Sequence, residues 1–405
     1  MSLYSNRPVP DAFFNPLAGL AEAARSHRQC QQISDLHWLQ LGVCRVLSDA
    51  RSGRGFLQQF AHWLPVCPSN SLFFESLKSQ RRLEMLRQVS LQLASQLRPD
   101  SSDHEALRGY ELYAGDGHWH AAAAHDPIID GTKTAVGHLY ALNLRTHALR
   151  HLHLAQGKEH DSGAIQKLGA EALRMGAEKG RKVNWVWDRA AISFGLWQKW
   201  KMQSGIYFIS RTKENMKLEV NGQRPITADP INHGVQADEL TMTSQHMMVR
   251  RVRYQAPGTA QTYEFITTEV TLEPGLIAWL YLRRWELEKV YDQLKNKLYE
   301  SKAWASSAEA KTIQAELICL THNLLTLHER YLEKEHQIVN QAAEARAKAR
   351  REKLKQTPKV SSLLVEVIRP LQRSIKFLRW LRAHWESKAP LSESLAHLRT
   401  LYATY

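Results

Sequence analysis

The sequence predicts a mixed α/β fold, with a sheet-centred core between two helical regions. Three observations predict it. Apolar residues recur at helical intervals over roughly the first hundred residues, change to strand-like runs in the middle, and return to helical spacing after Pro274. The 405 residues are enough for two or three domains with a sizeable core.

Residues 1–105 read as a helical domain. Leu36, Leu39, Val43, Val46 and Leu47 share one helical face, and a second helical stretch runs from Phe73 to Leu97. Pro65 and Pro68 separate the two. Lys78, Arg81, Arg82 and Arg87 make this region basic, which fits DNA binding or simply a solvated helix face.

Residues 106–213 read as the first part of a catalytic core. Strands are expected at Tyr110–Ala124, Val136–Arg145 and Ala148–Ala155, with Asp130-Gly131 as a turn. A helix at Ile165–Lys179, a strand at Val183–Trp187, a helix at Ile192–Met202 and a strand from Gly205 to Ser210 follow. Residues 214–273 read as a β-rich insertion, broken by Asn221-Gly222, Pro230 and Pro257-Gly258. Residues 274–300 read as a helix opened by Pro274, which suits a helix start. Residues 301–405 read as a helical, basic region that includes Glu344–Lys355 and the amphipathic stretch Arg369–Trp385.

Charge narrows the function. Lys plus Arg is 54 against 40 Asp plus Glu, a formal net charge of +14. Such an excess favours a polyanionic partner, because each bound phosphate releases counterions; a generally basic soluble protein is the plainer explanation. Residues 301–405 hold 18 Lys/Arg against 10 Asp/Glu, more than half of the excess. Four cysteines, Cys30, Cys44, Cys67 and Cys319, form no C-x-x-C pair, which argues against a zinc ribbon and a disulfide framework. No apolar run reaches the roughly 20 residues of a membrane helix, and the first residues lack a signal-peptide pattern. A cytoplasmic, nucleoid-associated protein is expected. No phosphate-binding loop of the G-x-x-x-x-G-K-[ST] type is present, so ATP dependence is not expected.

The strongest pattern lies in the helix after Pro274. Tyr281, Arg284, Glu288 and Lys295 are separated by three, four and seven residues, and fall within roughly 60° of arc on an α-helix. Leu276, Leu280, Leu287, Val290, Leu294 and Leu298 form an apolar stripe beside them. Alone, this describes an amphipathic surface helix with one i,i+4 ion pair. Two aspartates change the weight. Asp116 and Asp188 each follow a strand-like segment, and carboxylates from two strands and one helix are the oxygen donors that two Mg²⁺ ions need for phosphodiester chemistry. Asp126 and Asp130 compete for the first position. Asp116 is preferred, because a start at Asp130 leaves too little chain for three strands before Ile165.

These residues resemble the DDE transposases of the fourth insertion-sequence family, which carry a Y-x2-R-x3-E-x6-K signature. Here it is Tyr281, Arg284, Glu288 and Lys295. The resemblance extends over Asp116-Gly-His, Leu139–Leu144, Asp188-Arg189 and Tyr207–Asn215, about residues 110–300. It implies an RNase H-like catalytic core interrupted by a β-rich insertion. It implies Asp116, Asp188 and Glu288 as catalytic metal ligands for two Mg²⁺ ions, with Mn²⁺ as substitute. It implies Tyr281, Arg284, Lys295, Arg211 and Lys213 as DNA contacts. The implied partners are double-stranded DNA, the terminal inverted repeats of a transposon and target DNA, with a homodimer on DNA.

One departure concerns a base flipped during hairpin formation. No tryptophan lies between Trp200 and Trp279, so Tyr254, Tyr263 or Phe265 would have to substitute. Two other functions stay open. The chain could be a transposase descendant that binds DNA without cutting it. Alternatively, His118, His120, His125, His151, His153 and His160 could serve a zinc hydrolase, although polar strand faces are the plainer explanation.

Overall fold

Nine strands form one mixed sheet in the computed structural model, which describes residues 6–24, 32–50, 52–60, 68–99, 104–155, 159, 161–357 and 375–403. Cys30, Cys67, Pro65, His160 and the first part of the Arg369–Trp385 stretch lie outside the described residues.

Among the described residues, five helices come first: α1 (Val9–Ala23), α2 (Asp35–Leu47), α3 (Gly53–Phe60), α4 (Asn70–Ser76) and α5 (Gln80–Gln96). The helix expected at Phe73–Leu97 is two helices. The first ends at Ser76, and Ser79 caps the second, accepting from the Arg82 backbone N–H. The basic residues here are largely used internally. Arg81 makes a two-pronged pair with Asp35 at 2.7 and 2.8 Å, Arg82 is buried over Trp38, Arg87 reaches Glu316, and Lys78 pairs with Glu75.

The sheet follows: β1 (Tyr110–His120), β2 (Val136–Asn143), β3 (Leu149–Ala155), α6 (Asp161–Arg174), β4 (Lys182–Trp187), α7 (Phe194–Ser204) and β5 (Ile206–Arg211). Boundaries shift where backbone chemistry intervenes. β1 stops at His120, and Ala121 bridges to Lys302 instead. α6 begins at Asp161, earlier than apolar spacing indicates, and is interrupted at Gly169, whose φ of 73° no helix contains. Gly205 is the left-handed cap of α7 and not part of the next strand.

The insertion contributes β6 (Leu218–Gln223), β7 (Val235–Thr243), β8 (Met248–Gln255) and β9 (Thr262–Thr267). These strands extend the same sheet, whose order is β3-β2-β1-β4-β5-β9-β8-β7-β6. β4 runs parallel to both β1 and β5, and the remaining pairings are antiparallel. After β9 come α8 (Pro274–Arg283), α9 (Trp285–Asn296), α10 (Ala308–His336), α11 (Gln341–Lys355), α12 (Ile375–Ala383) and α13 (Leu391–Ala403). The helix expected to run unbroken from Tyr281 to Lys295 tightens at Arg284. The Arg284 N–H donates to Tyr281 O, and the Leu287 N–H donates to Arg284 O, each three residues back.

The two sheet faces bury different things. Tyr113, Trp185, Trp187, Phe208, Trp197 and Trp200 form a core with α6 and α7. Leu112, Ala114, Val186 and Ile209 face the opposite way, into a larger core that joins α1, α2 and α5 to α8, α9 and α10. Side chains alternate along a strand, and central parallel strands are covered on both faces. That alternation places the site.

Candidate functional site

Alternation along β1 puts Leu112, Ala114 and Asp116 on one face. Alternation along β4 puts Val186 and then Asp188 on the same face. The two strands are parallel, and Gly115 pairs with Trp187. Asp116 and Asp188 are the next residues along each chain, so two acids sit side by side where the β1–β4 pairing ends, Asp116 within β1 and Asp188 just past β4, turned towards α8 and α9. Their carboxylates are anchored locally: Asp116 Oδ1 accepts from the Gly117 N–H at 2.9 Å, and Asp188 Oδ1 accepts from the Arg189 N–H.

The third acid arrives on α9. Glu288 is about a third exposed, and its Oε1 accepts from Arg284 Nη2 at 2.7 Å. Arg284 Nη1 donates to Asp116 Oδ2 at 3.2 Å. One guanidinium, 8% exposed, thus ties the helix glutamate to the strand aspartate. The ring faces of Tyr281 and Trp285 stand 5.6 and 5.9 Å from it. Burial alone would make Arg284 a weaker base, but Tyr281, Asp116 and Glu288 outweigh it, and its affinity for the proton rises.

Tyr281 is buried against Phe265, with ring centroids 4.9 Å apart. Burial raises its hydroxyl pKa, and the charge of Asp188 adds to that, while Arg284 and Arg211 oppose it. The hydroxyl is therefore within electrostatic reach of Asp188, Arg284 and Arg211 together. Arg211, at the end of β5, lies over the Tyr263 ring at 4.9 Å. Lys295 is exposed on α9, and its charge reaches His118 and His120. Lys213 is exposed in the turn after β5, and nothing described ties it to this cluster.

The rivals of Asp116 sit elsewhere. Asp126 is buried in a turn, accepting from the Ala123 N–H at 2.6 Å and pairing with Lys311 at 2.8 Å. Asp130 is exposed in a tight turn, with φ of 51° before Gly131 at 73°. Of the aromatics considered for a flipped base, Tyr254 and Phe265 are buried. Tyr263 is half-buried between Phe265 and Arg211.

Sequence patterning misses Tyr291. Its hydroxyl donates to the Asp116 backbone oxygen at 2.7 Å, and its ring stacks on His118 with centroids 4.6 Å apart. It lies three residues beyond Glu288, so the face that presents the acid also ties α9 to β1. The only available signal was its position one helical turn after the glutamate. The histidines form a buried column across three strands: His118, His120, His138 and His151 stand ring to ring at 5.0 to 5.2 Å. Burial, with Lys295 adding to it, lowers His118 to about 4. Burial, with His118, Lys295 and His151 adding to it, lowers His120 to about 3. Both are neutral at physiological pH.

The acids supply only hard oxygen donors, so their chemistry fits a divalent ion such as Mg²⁺. Among the described residues, no three His, Cys, Asp or Glu side chains converge closely enough to hold one, and the Arg284 guanidinium stands between Asp116 and Glu288. Among the described residues, no helix is long and apolar enough to cross a membrane.

Residues 123–324 match the family model of the transposase DDE domain. The matched stretch contains Asp188 and Glu288 and begins just after Asp116. No curated protein matches the chain. Among solved structures, an endonuclease V from Bacillus subtilis is similar at 9% identity, over 50% of this chain and 81% of that one, with a TM-score of 0.23. An overlap that slight bears on neither fold nor function.

Proposed function

We propose that this chain, whose residues 123–324 match the transposase DDE domain, is a DDE transposase that cuts and joins transposon ends by metal-dependent phosphodiester chemistry at Asp116, Asp188 and Glu288. One observation carries the reading: two aspartates lie side by side where two adjacent parallel strands stop pairing, and Arg284 bridges a helix glutamate to one of them, Asp116. The strand order β3-β2-β1-β4-β5, a meander followed by two parallel strands, supports an RNase H-like core. On that reading β6–β9 are its insertion and α8–α9 its closing helix.

Asp116, Asp188 and Glu288 would hold two Mg²⁺ ions, or Mn²⁺ in their place. When bound, such ions lower the pKa of an attacking oxygen and stabilise the charge on the leaving one. The protein's own groups do the rest. Tyr281, Arg284, Arg211 and Lys295 supply a hydroxyl and three cations that would hold and orient phosphates at the acids. In cleavage, water attacks phosphorus and a DNA 3′-hydroxyl leaves. In joining, that 3′-hydroxyl attacks a target phosphodiester and displaces another 3′-oxygen. Residues 1–105 and 301–405 would carry further DNA contacts, the latter through exposed α11, whose Arg346, Lys348, Arg350, Lys353 and Lys355 outnumber its acids. A homodimer bridging two ends, working on DNA in the cytoplasm, completes the reading.

The test is Asp188→Asn in the full chain, with labelled duplexes copied from the DNA flanking its gene. The wild type should cut them with Mg²⁺ or Mn²⁺, whereas the variant should bind them equally and leave them intact. Normal cutting by the variant refutes the assignment. Binding without cutting by the wild type under either metal means a silent, DNA-binding descendant.

A further inference from the structure

The Arg284 guanidinium engages two acidic partners at once. Nη2 holds Glu288, Nη1 holds Asp116, and Nε is buried with no hydrogen-bond partner among the described residues. The head group lies between the two carboxylates that would have to close on a divalent ion. Mg²⁺ takes oxygens at roughly 2.0–2.1 Å in near-octahedral geometry. A guanidinium between the same oxygens repels the ion and holds the carboxylates apart. Leaving them strands a buried cation, which then needs another anion. A phosphate suits it, because the planar fork of arginine matches phosphate oxygens two at a time, and the unused Nε–H is a ready donor.

We propose that Arg284 is a latch on the metal site: it occupies Asp116 and Glu288 until a DNA phosphate takes its place as partner, so that divalent-ion binding and DNA binding favour each other. The latch rests on the reading of Asp116 and Glu288 as ligands. Coupling of this kind is reciprocal: whatever factor DNA adds to metal affinity, metal adds to DNA affinity. It would keep a nuclease centre unloaded until substrate is present.

The test measures Mn²⁺ binding to the full-length protein without DNA, from the electron paramagnetic resonance signal of the free ion. Arg284→Gln should bind Mn²⁺ at least about fivefold more tightly than the wild type, the lower end of ordinary coupling. Lys289→Gln removes an equal charge from the same helix and should change affinity less than about twofold, as screened charges do. Arg284→Lys keeps the charge but reaches one carboxylate at a time, so it should fall between. A short duplex should then tighten Mn²⁺ binding more in the wild type than in Arg284→Gln. Circular dichroism confirms that each variant is folded. Equal affinity in wild type and Arg284→Gln overturns the latch, as does wild-type affinity in Arg284→Lys. Adding Glu288→Gln separates the two ideas. If the tightened binding survives it, the ligand reading itself fails; if Glu288→Gln weakens Mn²⁺ binding but Arg284→Gln has no effect, only the latch fails.

Discussion

Glu286 and Glu288 are two residues apart on α9, and their loss should cost very different amounts of stability. Glu288 is about a third exposed beside the site. Glu286 points inward and is 7% exposed. Its Oε1 accepts from Arg283 Nε at 2.9 Å, and its Oε2 lies 3.2 Å from Arg283 Nη2 and 3.0 Å from His147 Nε2. Arg283 is equally buried, packs over Trp279, and also donates to the Leu144 carbonyl. Glu286→Ala would leave that guanidinium buried without its counter-charge, a loss of about 3–5 kcal/mol. Glu288→Ala deletes a half-open pair worth about 1 kcal/mol or less. Urea unfolding of both variants at pH 7 reads the difference. The pH dependence adds an independent check. Burial would raise the Glu286 pKa, but hydrogen bonding from His147 and the charge of Arg283 more than reverse it, leaving it below the usual 4.5. A lowered acid pKa stabilises the native state above the unfolded value and loses that contribution as pH falls through the folded one. The gap between wild type and Glu286→Ala should therefore be full at pH 7 and shrink below about pH 4.5. Equal midpoints at pH 7, or a gap that persists undiminished at low pH, would refute the ion-pair account.

Two further predictions test the surroundings of the site. Glu300 is buried near Arg45 and hydrogen-bonded to Gln314 at 2.9 Å, and burial raises its pKa from 4.5 to about 7. A raised acid pKa costs stability as pH climbs from the unfolded to the folded value, so Glu300→Gln should gain on wild type between pH 4.5 and 7, by on the order of 3 kcal/mol, and hold the gain above; a pH-independent difference in urea midpoints contradicts this. Gly275, in the first turn of α8, donates its N–H to Asn232 Oδ1, and a Cβ there would stand 1.9 Å from the Ile231 carbonyl oxygen. Gly275→Ala should push α8 away from the segment between β6 and β7 and cost at least about 1–3 kcal/mol, whereas unchanged thermal unfolding would show that this close approach is not needed.

Much of the fold was legible because it follows from short-range rules. The strand-like runs at Tyr110, Val136, Ala148 and Val183 are strands, and their side chains alternate between cores on opposite faces of the sheet. The insertion's long-range pairing was not legible. Nothing in Thr262–Thr267 announces that it will lie against Ile209–Arg211 and carry β6–β8 onto the edge of the same sheet. Charge was the least legible property. Lys78, Arg81, Arg82 and Arg87 read as a basic face, yet their partners Glu75, Asp35, Trp38 and Glu316 come largely from distant parts of the chain. A run of like charges states how many cations there are, and only tertiary structure decides which of them reach solvent.

The site shows the same division more sharply. Spacing alone puts Tyr281, Arg284 and Glu288 on one helical face, and alternation alone puts Asp116 and Asp188 on one sheet face. Neither rule says that the two faces meet. They meet because α8 and α9 bury Leu276, Leu280, Leu287 and Val290 in the same core as Leu112, Ala114 and Val186. The helix stripe next to the apolar one is therefore delivered to the strand ends as a consequence of packing. That delivery also settles what the i,i+4 pair does. On a solvated helix, Arg284 and Glu288 would be a weak surface pair. Brought to Asp116, the same arginine faces two acids at once. A buried cation between two carboxylates is stable only while both remain unclaimed by a stronger cation, so the arrangement that ties Asp116, Arg284 and Glu288 together is also the one that the proposed chemistry must undo.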